Sequence, residues 1–241
     1  MTAPESAAPS PRRRDPGDAP RHDRPWIRRV GYRLTQWMIR AVMVFFGGFR
    51  VSGQENVPGR GAALLVSNHL SFWDVLVLGS GVRRPVNFVA RSSLFSPKFG
   101  GALRFFGAFP IQRDGFGSQG FKETLRRLKA GGIVTFFPEG TRSPDGTLQE
   151  LKPGIAALAT RARVPILPAG IAGTFESWPR DRKYPRPHPM RLHLAPSIAP
   201  EELDGLSPED ATRLIRDRLE QAIEAARQAL PAARRPAIKD S

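Results

Sequence analysis

There is no cysteine among the 241 residues, so a disulfide scaffold, a cysteine-ligated zinc site and a cysteine nucleophile are all excluded. A long apolar run is missing as well. The uninterrupted stretch from Ala41 to Phe46 falls far short of the about 20 predominantly apolar residues that cross a bilayer, and arginines crowd its approach. No G-x-S-x-G elbow occurs, which argues against a serine hydrolase. No A-x-A cleavage site follows "RRVGYRL", so that stretch is read as mature chain rather than as a twin-arginine leader. Acidic side chains are outnumbered by basic ones, 22 to 37, and the net charge of +15 implies attraction to an anionic partner. Recognition-helix, RNP-type and zinc-finger patterns are absent, so no nucleic acid is expected, and phospholipid headgroups or a phosphorylated substrate remain.

The residues present divide the chain by composition. Residues 1–25 combine proline and charge with almost no large apolar side chains, which predicts a disordered tail with His22 solvated in it. From Trp26 to Arg50 the pattern changes. Arg29, Arg33, Gln36 and Arg40 share one stripe of a helical wheel, while Ile27, Val30, Leu34, Trp37, Met38, Ala41 and Phe45 fill the opposite side. This predicts an amphipathic helix lying in a membrane interface, where each arginine near an anionic leaflet contributes about 1 kcal/mol. The competing reading is a helix packed on the domain's own core. The first reading makes the protein peripheral to the cytoplasmic face of the cell membrane, with one domain at 51–230 and a flexible tail at 231–241.

Beyond Arg50 short apolar runs alternate with helical stretches, the pattern of an α/β domain with a mostly parallel or mixed sheet flanked by helices. Strands are expected at 62–66, 86–90, 108–112, 133–137, 166–171 and 190–195, and helices at 71–81, 100–106, 120–130, 154–163 and 208–230. The last helix has Ser207 as N-cap, Pro208 at its first position and acidic residues in its first turn. The basic, proline-punctuated segment 176–189 is expected to be an irregular loop bordering a site. No internal repeat is found.

The stretch "SNHLSFWDVLVL" at 67–78 places His69 in a turn before a helix and Asp74 in the first turn of that helix. There the carboxylate can reach back, fix one imidazole tautomer, and leave the other ring nitrogen free to take a proton from a hydroxyl. Ser71 to Asp74 also fits a capping box, in which Asp74 only satisfies helix N–H groups. Both readings stand on this segment alone. With no hydrolase elbow in the chain, the activated hydroxyl would be the substrate's.

"FFPEGTRSPDG" at 136–146 follows a strand and closes tightly. Gly140 permits close backbone approach, Thr141 and Ser143 offer hydroxyls, and Arg142 presents a fork that matches phosphate oxygens. Arg113, at the end of "GAFPIQR", places another cation at the same sheet edge, where ligands of open α/β sheets gather. "GFGSQG" at 115–120 fits a dinucleotide fingerprint, but its strand ends in charged Arg113 and Asp114, which argues against the assignment.

Four blocks in order, "NHLSFWD", "GAFPIQR", "FPEGTRS" and "VPILPAGI", resemble the glycerolipid acyltransferase family, in particular its bacterial 1-acylglycerol-3-phosphate acyltransferases. The resemblance implies acyl transfer from an acyl-coenzyme A or acyl carrier protein thioester to the free sn-2 hydroxyl of 1-acylglycerol 3-phosphate, the alternatives being another lysolipid acceptor or a non-catalytic membrane-binding module. It further implies that His69 is the base, that Asp74 orients it, and that Arg113, Glu139, Gly140 and Arg142 form the acceptor's phosphate site. A carboxylate beside a phosphate would repel it, so Glu139 is expected to orient the arginines or the loop backbone. Lys152 either adds charge to the site or is simply exposed. No metal or bound cofactor is required, and His188 and His193 are read as loop and strand residues.

Overall fold

The computed structural model describes residues 26–92, 95, 107–111 and 117–234. The tail expected at 1–25, the helix expected at 100–106, Arg113 and residues 235–241 lie outside them.

Seven strands form one sheet: β1 (Phe49–Ser52), β2 (Ala63–Ser67), β3 (Val86–Arg91), β4 (Ala108–Ile111), β5 (Ile133–Phe136), β6 (Ile166–Ala172) and β7 (Met190–Leu194). Their spatial order is β1-β7-β6-β2-β5-β3-β4. All pairings are parallel except β6 with β7, so the sheet is mixed, with one reversal near the β1 edge. The central strands have no polar face because both faces are covered: every residue of β2, β5 and β6 is buried.

Alternate side chains of β2 accordingly enter different cores. Ala63 and Leu65 pack with Val77, Leu78 and Leu192 on one face, and Leu64 and Val66 pack with Ile155, Leu158 and Ile215 on the other. The first face is covered by helices α1 (Trp26–Phe45) and α2 (Trp73–Gly81). Helices α3 (Ser118–Lys129), α4 (Gly154–Ala162) and α6 (Pro208–Gln228) cover the second, and α5 (Thr174–Ser177) is a single turn after β6. α6 lies so close to β6 that a Cβ on Gly170 would stand 2.1 Å from the backbone of Ala222. Its predicted start is observed, Ser207 Oγ accepting from the Asp210 amide at 3.0 Å behind Pro208.

The helix expected over the N-terminal amphipathic segment stops at Phe45 rather than continuing to Arg50. Gly47 and Gly48 have φ of 126° and 96°, a region closed to most L-residues, and they turn the chain into edge strand β1. α1 docks through a stripe containing Tyr32, Gln36 and Met43. Gln36 Nε2 donates to the carbonyls of Gly79 and Val82 at the end of α2, at 2.7 and 3.2 Å, and Met43 is wholly buried. The opposite side of the helix exposes Val30, Leu34, Trp37, Met38 and Phe45, the last at 89%. The larger apolar stripe of α1 therefore faces away from the core. No helix among the described residues is long and apolar enough to cross a membrane.

Candidate active site

The neighbouring parallel strands β6, β2 and β5 all release their chains at one edge of the sheet. β2 runs into Asn68 and His69, β5 into Phe137 to Arg142, and β6 into Gly173 and Thr174. Brought together by topology rather than by sequence, these three loops build one site. Asn68 fixes the first of them: its side-chain amide donates to the Ile171 carbonyl and accepts from the Ile171 amide, both at 2.9 Å. It extends the β2–β6 ladder by one pair.

His69 follows, its ring stacked on Phe137 with centroids 4.1 Å apart. Nδ1 lies 2.9 Å from Asp74 Oδ2. That oxygen also accepts from the amides of Leu70 at 2.6 Å and Ser71 at 2.7 Å, while Oδ1 accepts from Thr174 Oγ1 at 2.7 Å. Both readings of Asp74 are thus realised in one side chain: it caps the start of α2 and it holds the imidazole. Every neighbour donates to this carboxylate, so Nδ1 carries a proton, and in the neutral imidazole Nε2 is the nitrogen with the free lone pair. Asp74 is fully buried whereas the His69 side chain is 20% exposed, which leaves the ring reachable while its partner is shielded from water.

Glu139 is buried, and its two oxygens go to backbone. Oε1 accepts from the His69 amide at 2.7 Å and Oε2 from the Gln149 amide at 2.9 Å. Of the two roles expected for it, the one on loop backbone is the one its bonds make visible. The Ser143 amide donates to the His69 carbonyl at 2.7 Å, so the β2 and β5 loops are joined twice. Burial outweighs the two amide bonds and pushes the Glu139 carboxyl up to about 7.

Gly140 and Thr141 are exposed at the tip of this loop. Gly140 has φ of 71°, and a Cβ there would lie 2.9 Å from Cε of Lys152, whose exposed side chain crosses it. Arg142 lies with Cζ 3.7 Å above the ring of Phe72, and its Nη1 is buried without a hydrogen-bond partner. Burial, and secondarily the neighbouring Arg180, lower its guanidinium below the usual arginine range. Such an unsatisfied cationic donor at a site edge suits an anion.

Of the residues singled out by the sequence, His69, Asp74, Glu139, Gly140, Thr141 and Arg142 come together here; Arg113 lies outside the described residues. Asn68, Thr174 and the clamp from Ser71 Oγ to the Trp178 carbonyl at 2.7 Å were not anticipated. "NH" before the capping pattern was the available hint for Asn68; Thr174 carries no local signal. The segment after α5 does border the site, as expected. His193 sits in β7 bonded to Ser52, and His188 bonds the chain end of α1 through its amide to the Phe46 carbonyl. Among the described residues no cluster of His, Asp and Glu could hold a metal ion.

The strands that carry these loops lie within a region that matches known proteins. A family model described as "Acyltransferase" matches residues 48–172, from the glycine turn before β1 to the end of β6. A 1-acyl-sn-glycerol-3-phosphate acyltransferase of Bacillus subtilis is 30% identical over 144 residues, which are 59% of this chain and 71% of that protein. One from Pseudomonas aeruginosa is 33% identical over 175 residues, 70% of this chain and 65% of that protein. The crystal structure of the 1-acyl-sn-glycerophosphate (LPA) acyltransferase PlsC from Thermotoga maritima superposes with a TM-score of 0.74 at 24% identity, covering 85% of this chain and 83% of that one.

Proposed function

The chain belongs to the acyltransferase family, and from that premise we propose that it moves a fatty acyl group from a thioester donor to the free sn-2 hydroxyl of 1-acylglycerol 3-phosphate. The products are phosphatidic acid and the free thiol of the donor. The donor is acyl-coenzyme A or an acyl carrier protein, both of which present the same activated thioester.

The single observation that carries the reading is the His69–Asp74 pair, a partly exposed imidazole oriented by a buried carboxylate at 2.9 Å. In the proposed reaction Nε2 takes the acceptor's hydroxyl proton as the oxygen attacks the thioester carbon. The imidazolium that forms is stabilised by Asp74, and the proton passes to the departing thiolate. A positioned base of this kind contributes about 10²- to 10⁴-fold. Because a thioester is already activated, the remaining requirement is orientation of two substrates. Arg142 offers the cation for the acceptor phosphate, with Gly140 and Thr141 beside it in the loop, Arg113 is assigned to the same phosphate by the resemblance alone, and Glu139 keeps that loop in register with His69.

The lipid acceptor enters from a membrane, and the outward apolar stripe of α1 supports a peripheral attachment to anionic phospholipid at the cytoplasmic face. The test is transfer of labelled oleoyl from each donor to a panel of 1-acylglycerol 3-phosphate, glycerol 3-phosphate and other lysophospholipids. Preference for the first acceptor supports the reading; transfer to a different acceptor alone replaces it, and no transfer to any acceptor with working controls removes it.

A further inference from the structure

Arg142 is not the only cation at this edge without an ion-pair partner among the described residues. The chain leaving α5 is drawn back over the start of α2 by the Ser71 Oγ bond to the Trp178 carbonyl at 2.7 Å. The Trp178 ring lies 5.2 Å from Phe72 and 5.8 Å from Trp73. Its indole Nε1 donates to the Arg182 carbonyl at 2.9 Å, and the Arg182 amide donates to the Pro179 carbonyl at 3.3 Å. These bonds close a turn over 179–182 with Arg180 at its tip, and the Trp178 ring seats that turn against Phe72, the ring that Arg142 covers.

Arg180 is exposed, and it makes no hydrogen bond or ion pair with any described residue, its sequence neighbour Asp181 included. Arg142 forms no ion pair with a described residue either, and has a buried N–H with no partner. After burial, repulsion from Arg180 is the next influence that lowers the Arg142 guanidinium, and attraction to Asp74 opposes it. Like charges held together by two separately anchored loops are a cost to the empty site and a gain once an anion lies between them. Phe72 supports one guanidinium on its face and, through Trp178, braces the turn that carries the other.

We propose that Arg180 is a second arginine of the acceptor site, closing with Arg142 on a phosphate monoester headgroup and selecting it over uncharged acceptors. This rests on the acceptor reading given above. The two loops then act as jaws: Arg142 comes from the β5 loop and Arg180 from the segment after β6, with the His69 loop between them. No proton or covalent step passes through Arg180, which makes it a residue of binding and specificity.

The experiment uses the full chain in detergent with a short-chain, water-soluble 1-acylglycerol 3-phosphate, so that membrane recruitment does not enter the rate. Arg180→Ala is expected to raise the acceptor KM about tenfold, the scale of one charge-assisted hydrogen bond, with kcat and donor KM unchanged. Arg180→Lys should recover part of that loss, since it keeps the charge without the fork. Inorganic phosphate, competing with the acceptor, should inhibit the Ala variant more weakly than wild type. An unchanged acceptor KM, or acceptor and donor KM rising together, overturns the proposal. Failure of the acceptor reading itself is seen separately, in wild type that transfers to unphosphorylated acceptors but not to the phosphorylated one.

Discussion

Replacing Asp74 by alanine separates the two tasks that this side chain performs. Asp74 is fully buried, and the amides of Leu70 and Ser71 donate to its Oδ2 at 2.6 and 2.7 Å in a turn closed to water. Each buried donor left without an acceptor costs about 1–3 kcal/mol, so two of them put the loss at roughly 2–6 kcal/mol. Relief of the carboxylate's own desolvation offsets part of this and places the expected value toward the lower end. Thr174 can rotate its hydroxyl and His69 can reach solvent, so neither adds much. Against a total stability of about 5–15 kcal/mol the loss is large but survivable. With urea slopes of about 1–3 kcal/mol per molar, the unfolding midpoint should fall by roughly 1 M or more. Fluorescence of Trp73 and Trp178, which flank the site, reports the transition. Asp74→Asn keeps a carbonyl for the two amides and should recover most of the midpoint, yet it loses the charge that stabilises the imidazolium and should remain about 10²-fold or more below wild type in kcat. A midpoint unmoved in the Ala variant, or full activity in the Asn variant, refutes the reasoning.

Two further outcomes follow from the same geometry. Burial raises the Glu139 carboxyl to about 7 from an ordinary 4.5, so the folded state holds a proton that the unfolded chain has released between those values. The stability linked to this group is therefore full below about pH 4.5 and is lost as pH rises through about 7; Glu139→Gln should flatten that slope in urea midpoints taken across pH 4.5 to 7.5. On α1, changing Leu34, Trp37 and Phe45 to serine should leave the unfolding midpoint nearly unchanged, because these side chains are exposed, and should release the protein from anionic vesicles in a sedimentation assay. Truncation at residue 50 is the poorer test, since it removes buried Met43 and cuts into β1.

How far the sequence revealed this arrangement depended on distance along the chain. His69 and Asp74 are five residues apart, and a capping pattern at the head of an apolar helix was enough to bring them together. Thr174 bonds the same carboxylate across 100 residues and Asn68 pairs with Ile171 across 103, contacts set by the order of strands in the sheet, which periodicity does not encode. The core strands were legible because strands covered on both faces read as unbroken apolar runs. β1 was not: it is short, lies at an edge, and follows directly on a helix whose apolar residues mask the change of period. The two faces of α1 were visible on a helical wheel. Which of them meets the body is decided by Gln36 and Tyr32 satisfying carbonyls at the end of α2, a contact between segments over forty residues apart.

The most direct measurement is the transfer rate of His69→Ala with the preferred acceptor, read beside its urea midpoint. The ring is partly exposed, and Asp74 keeps both backbone amides when it is gone, so the variant should fold almost as well as wild type. Its kcat should fall by about 10²- to 10⁴-fold, the contribution of a positioned base. A well-folded variant that turns over at a near wild-type rate would show that another group accepts the hydroxyl proton.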